Sequence, residues 1–247
     1  MQESKTGVVG MGRARLTGKS LQLSELVGVF VVGASSILCG IALFGGGAVA
    51  SIGSVWAANL LMLAVIYSGL RWRGQSWAHL GLNLGRPDLK SVSITILQSL
   101  PVFAVAVVAF AAGAILMANL AGIPEAADMS QYEYLRGNLA MTMLALGSVY
   151  VVSAFAEEVI YRGFLITRLN ELAGNGKSAS RFAVVVSSLI FGLVHSEWGV
   201  VGMVQASCMG LALGASYLIV KRNLWVIILA HGYMDTLLVL QMYYATG

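Results

Sequence analysis

Apolar positions along this chain come in blocks: residues 26–48, 52–70, 92–120, 139–160, 182–195, 200–220 and 223–244 are almost continuously hydrophobic, and short segments between them hold most of the charge. About 20 mainly apolar residues cross the hydrocarbon core as a helix. The pattern therefore predicts an all-α fold, a polytopic transmembrane helix bundle of about seven spans. The fourth block runs into charged residues and the fifth is short, so these two define the pattern least sharply. The first 20 residues are polar and basic, with no small-residue cleavage site behind a short apolar core, which predicts a cytosolic tail and not a cleaved signal. The expected organisation is a basic tail over 1–25 followed by a single transmembrane domain over 26–247.

The placement of lysine and arginine gives these spans a direction, because short cytosolic loops carry the excess of positive charge. Lys5, Arg13, Arg15 and Lys19 precede the first block; Arg71, Arg73, Arg86 and Lys90 follow the second; Arg162, Arg168, Lys177 and Arg181 follow the fourth; Lys221 and Arg222 follow the sixth. Fourteen of the fifteen basic residues thus fall on one side. The opposite loops hold Arg136 with Glu125, Asp128, Glu133 and Glu197. The expected topology has a cytosolic N-terminus and an outside C-terminus.

Composition agrees: 58% of residues are hydrophobic and 11% charged, against about 25% charged in soluble domains. This excludes an ordinary soluble enzyme. The net charge of +4 is explained by topology, so no nucleic-acid partner is expected. Cys39 and Cys208 sit in apolar blocks and match no metal-ligand spacing. Trp72, Trp77 and the segment WAHLGLNLGRPDLK suit the membrane interface, with His79 as an ordinary interfacial residue. Gly202, Ala206, Gly210 and Gly214 place small residues on one face of the sixth span, for close packing inside the bundle.

Ionisable groups at the centre of a bilayer cost about 2.5–3.5 kcal/mol each on insertion scales and are functional candidates by default. Here they are Glu157 and Glu158 with Arg162, then His195, then His231 with Asp235, all in the C-terminal part of the chain. Glu158 and Arg162, four apart, share a helix face and can pair; Glu157 points elsewhere, with Tyr161 four residues on. His231 and Asp235 are also four apart. His195 has no polar side chain three or four residues before it, so its partner is expected from another span. If the fourth helix continues past Arg162 towards Leu172, these groups converge at one depth in the cytosolic half, in a cavity entered from that side.

A carboxylate with two imidazoles in a shielded cavity suits amide hydrolysis: the glutamate takes a proton from water, one histidine orients that water, and the other with its neighbour stabilises the oxyanion. The bland alternative is a polar network that only holds helices together. HExxH is absent, GASS at 33–36 is no serine nucleophile motif, and Asp235 is the single aspartate within a span, against an aspartyl pair. Zinc on Glu157, His195 and His231 is an open ligand set of the His2Glu type, without diagnostic spacing.

AEEVIYRGFL, with Glu157, Glu158 and Arg162, matches an EExxxR motif; FGLVH, ending at His195, matches FxxxH; HGYMD, from His231 to Asp235, matches HxxxN/D. Three motifs in this order on C-terminal spans, over about residues 139–240, resemble the CPBP family of CAAX-protease and bacteriocin-processing intramembrane proteases, also called the Abi or type II CAAX prenyl endopeptidase family. The resemblance implies a metal-independent glutamic endopeptidase in which Glu157 is the general base, His195 helps activate water, His231 and Asp235 form the oxyanion site, and Glu158 with Arg162 are structural or orienting. Eukaryotic prenyl-processing members carry Asn where this chain has Asp235, which must either be protonated or orient His231. The short chain points to a bacterial inner membrane, and the resemblance to a membrane-associated peptide or protein substrate cleaved near the cytosolic face, with the lipid bilayer as the other partner and no oligomeric state implied. The competing functional class is a non-catalytic membrane scaffold or regulator of partner membrane proteins; a proton-coupled transporter ranks behind it, since no duplicated halves are seen.

Overall fold

The computed structural model describes residues 18–45, 47–122 and 130–245. The predicted tail cations Lys5, Arg13 and Arg15 and the acids Glu125 and Asp128 lie outside these residues. Among the described residues there are seven long helices and no strand: α1 (Lys19–Phe44), α2 (Ala48–Trp72), α3 (Leu89–Ala121), α4 (Leu139–Leu172), α5 (Lys177–Leu193), α6 (Gly199–Ile219) and α7 (Leu224–Tyr244). Six of them are long and apolar enough to cross a membrane; α5, with 17 residues, is the exception. Large apolar side chains face outward, including Leu43 at 70% exposure and Ile219 at 79%, as expected where lipid is the solvent.

Helix ends follow from local chemistry. Asp88 caps α3 by accepting the Ser91 backbone N–H at 2.9 Å, and this contact with Ser91 holds its carboxyl below the usual range. Asn138 caps α4 by accepting from the Met141 N–H at 3.2 Å. The first helix starts at Lys19, ahead of its apolar block, because polar Gln22, Ser24 and Glu25 continue the helix from Gly18.

The turns sort into two ends. At one, the Leu224 N–H donates to the Gly81 carbonyl at 3.0 Å and the Tyr217 hydroxyl to the Leu80 carbonyl at 2.8 Å. Gly81 has φ +82° and lies against the Arg222 carbonyl, where a Cβ would collide, so glycine is required by both backbone and space. At the same end Arg168, fully buried, donates to Glu25 at 3.1 Å, Glu171 at 2.9 Å and Gln75 at 3.0 Å. Arg73 pairs with Glu25; burial, then the Arg168 charge, lowers its pKa from the ordinary guanidinium value. His79, read as an ordinary interfacial residue, bonds Glu171 at 2.9 Å. At the opposite end the Gly137 N–H donates to the Tyr243 carbonyl at 3.1 Å. The first of these is the basic end of the sequence analysis.

The small-residue face of α6 packs inside the bundle as expected. A Cβ on Gly210 would meet Ser188 and Phe191 of α5, and one on Gly214 would meet Val184; Ala206 is fully buried.

Candidate active site

The fourth helix sets the geometry. It runs unbroken past Arg162 to Leu172, as the convergence of the polar groups demanded, and includes two π-helical segments, Val149–Phe155 and Glu158–Leu165. Such segments are rare and shift the register of the side chains beyond them. Each has a carbonyl that accepts a side chain from another helix: Val152 from Asn59 of α2 at 3.2 Å, and Tyr161 from Ser187 of α5 at 2.9 Å. The Tyr161 carbonyl also accepts the Ile166 N–H five residues on. Where no water competes, such bonds satisfy carbonyls that a widened helix leaves poorly paired.

Glu157 occupies the short link between the two π segments, and Glu158 begins the second. They diverge completely. Glu158 is fully buried, and its Oε1 accepts from Arg162 Nη1 at 2.7 Å, the pairing expected from their spacing, and from His231 Nδ1, also at 2.7 Å. Glu157 instead lines an internal cavity, and its Oε2 is buried without a hydrogen-bond partner.

His231 reaches Glu158 because the register of α7 is fixed from α4. The Tyr150 ring lies where a Cβ on Gly232 would sit, and the Tyr150 hydroxyl is 3.0 Å from Thr236 Oγ1. The other ring nitrogen, Nε2, lies 3.5 Å from Asp235 Oδ1, long for a hydrogen bond. His231 is thus held between Glu158 and Asp235, four residues away on its own helix.

His195 stands just beyond the last turn of α5. Its Nδ1 donates to the Phe191 carbonyl at 2.7 Å, so the expectation of a partner from another span is corrected: a backbone carbonyl in the last turn of its own helix supplies it. Because a carbonyl only accepts, this bond places the proton on Nδ1 and leaves Nε2 as an acceptor in the neutral ring. Phe191 itself is fully buried and central. Its ring lies 4.2 Å from the Arg162 guanidinium, 4.6 Å from the His195 ring, 5.2 Å from Tyr161 and 6.0 Å from His231. Sequence reasoning placed Phe191 only as a motif letter and did not single out Asn59, Ser187 or Tyr150. Phe191 could have been found from its spacing to His195; the others carry no signal, because their contacts depend on the π register.

Glu157, His195, His231 and Asp235 all line one cavity of about 370 Å³. Its other walls are mostly apolar, among them Trp56, Phe110, Met209 and Leu238, with Tyr132 and Trp198 near the turns; burial pushes the Tyr132 phenol up to about 12. Glu158 and Arg162 lie outside the lining, behind His231. The direction of the cavity differs from expectation. It extends along the first halves of α2 and α4 and the last halves of α3 and α7, towards residues 132–138 and 194–198. Towards the basic end Phe164, Leu165, Leu80 and Leu224 are outside the lining, each with 0% exposure. Equating the depth of the polar groups with the side of access missed this packed floor.

Four atoms of the cluster, Glu157 Oε2, Glu158 Oε2, Arg162 Nη2 and Asp235 Oδ2, are buried without hydrogen-bond partners. A buried polar atom left unpaired costs about 1–3 kcal/mol, more if charged. Among the described residues no group of three or more His, Cys, Asp or Glu is arranged to hold a metal ion.

Residues 138–237 match the family model described as Type II CAAX prenyl endopeptidase Rce1-like. No curated protein and no solved structure matches the chain.

Proposed function

We propose, from the match of residues 138–237 to the Rce1-like type II CAAX prenyl endopeptidase family model, that the chain is an intramembrane endopeptidase whose water is activated by Glu157 without a metal. The observation that carries this reading is the meeting of Glu157, His195, His231 and Asp235 on one cavity, with Glu157 Oε2 unbonded to protein.

In this mechanism water lies between the Glu157 carboxylate and His195 Nε2, the nitrogen left as acceptor by the bond to Phe191. Glu157 takes one proton as the water oxygen attacks the peptide carbonyl carbon; His195 holds the other hydrogen and so aims the oxygen. The resulting oxyanion faces His231. Since Nδ1 already donates to Glu158, donation from Nε2 requires the imidazolium form, with the carboxylates of Glu158 and Asp235 flanking its two nitrogens. Asp235 then orients His231 and does not touch the oxyanion, a role that an ionised aspartate can fill. Collapse of the intermediate breaks the C–N bond, and the proton held by Glu157 passes to the leaving amine. One well-placed oxyanion donor contributes about 10²–10³ in rate.

The substrate on this reading is a membrane-associated peptide or protein, and the location a bacterial inner membrane. The test is complementation of a deletion strain with wild type and Glu157→Gln at equal membrane levels, with the membrane peptidome compared by mass spectrometry. Loss of the phenotype with accumulation of an uncleaved peptide is expected; equal function of the two forms would reject hydrolysis.

A further inference from the structure

We infer that the substrate reaches Glu157 from the end of the bundle opposite the basic turns, and is therefore an apolar, extended segment of an exported, membrane-anchored polypeptide presented on the non-cytoplasmic side. This rests on the protease reading for what happens at Glu157, but its geometry is independent of it.

Three observations converge. The cavity lining extends from the site in one direction, while Phe164, Leu165, Leu80 and Leu224, outside the lining on the other, have 0% exposure. The end beyond these four carries the cations Arg71, Arg86, Lys90, Lys177, Arg181, Lys221 and Arg222, while at the cavity end Arg136 stands among Glu133 and Glu197. Short loops rich in lysine and arginine stay in the cytosol, so the cavity end faces away from it.

The shape of the path sets the chemistry of the occupant. From His231 to the end of α7 at Tyr244 is 13 residues, about 20 Å at 1.5 Å per residue. An extended peptide advances about 3.3 Å per residue, so roughly six residues must lie unwound between the membrane surface and the scissile bond. Ile52, Trp56, Val107, Phe110 and Leu237 line that path. They favour apolar side chains over a hydrated or charged segment.

Single cysteines test the side of access without any need for catalysis. In full-length protein with Cys39 and Cys208 replaced by serine, Ser148→Cys, on the cavity wall, is exposed to a charged, membrane-impermeant methanethiosulfonate. Right-side-out spheroplasts and inverted membrane vesicles of a bacterial host are compared, with Lys177→Cys, exposed at the basic end, as the control. Labelling of Ser148→Cys in spheroplasts and its loss in inverted vesicles, with the reverse pattern for Lys177→Cys, is expected. Ser153→Cys, also on the wall, repeats the test deeper and stands in if the first variant does not fold. Labelling from the cytosolic side, or from neither side in folded protein that labels once denatured, overturns the inference. Labelling from outside in a protein that cleaves nothing would keep the access route and reject the protease reading instead.

Discussion

The Nδ1 of His231 donates to Glu158 across 2.7 Å, joining α7 to α4 beneath the cavity. Adjacent glutamates thus point apart: Glu158 fixes the imidazole while Glu157 faces the cavity. Glu158→Ala would leave both Arg162 and His231 without their shared acceptor in a fully buried setting. Removing one partner of a buried ion pair costs about 3–5 kcal/mol. Thermal unfolding of the purified protein in detergent should show a marked loss of stability together with loss of activity, and an unchanged melting temperature would contradict the assigned pairing.

Glu157→Gln should separate the two properties. Its Oε2 has no protein partner, so replacing the oxygen with an amide breaks no bond to that atom and the fold should be retained. Loss of a general base lowers turnover by about 10²–10⁴. The expected outcome is an inactive protein that melts at or near the wild-type temperature, measured on the same preparation.

The bundle and the four cavity residues were legible in the sequence for physical reasons. Continuous apolar blocks reveal spans, and an ionisable group inside one is costly enough to need a purpose. The pairing of Glu158 with Arg162 followed from helical spacing. The bond from His195 to its own helix end was not legible, since it depends on α5 stopping at Leu193 and freeing a carbonyl. The direction of the cavity was also hidden: apolar residues that form a packed floor and those that line an open wall are alike in composition. The π segments left no periodic trace, because a run such as VYVVSAF reads equally well as α-helix.

Phe191→Leu should weaken the site without emptying it. The aromatic ring faces the Arg162 guanidinium at 4.2 Å and both imidazoles; leucine keeps much of the volume but no π face. A cation–π contact is worth about 0.5–2 kcal/mol, so modest destabilisation is expected. The larger effect should fall on turnover, because His195 and His231 lose a shared wall. Phe191→Tyr, which retains the ring, should restore more activity than leucine does; equal activity of the leucine and tyrosine forms would show that the ring does not position the histidines.

Asn59 and Ser187 should act as positioning residues through the backbone of α4. Each donates to a carbonyl in a π segment on either side of Glu157, and neither belongs to the three sequence motifs. Asn59→Leu and Ser187→Ala remove those donors, at a cost of about 1–3 kcal/mol for each carbonyl left poorly satisfied. Hydrogen exchange over 149–165 should rise in both variants as the π segments loosen. Ser187→Thr keeps a hydroxyl and should restore both protection and activity, whereas a structural role confined to volume would make threonine no better than alanine. Should Ser187→Ala exchange like wild type over this stretch, the side-chain bonds are bystanders and the π register is fixed by the packing of α4 alone.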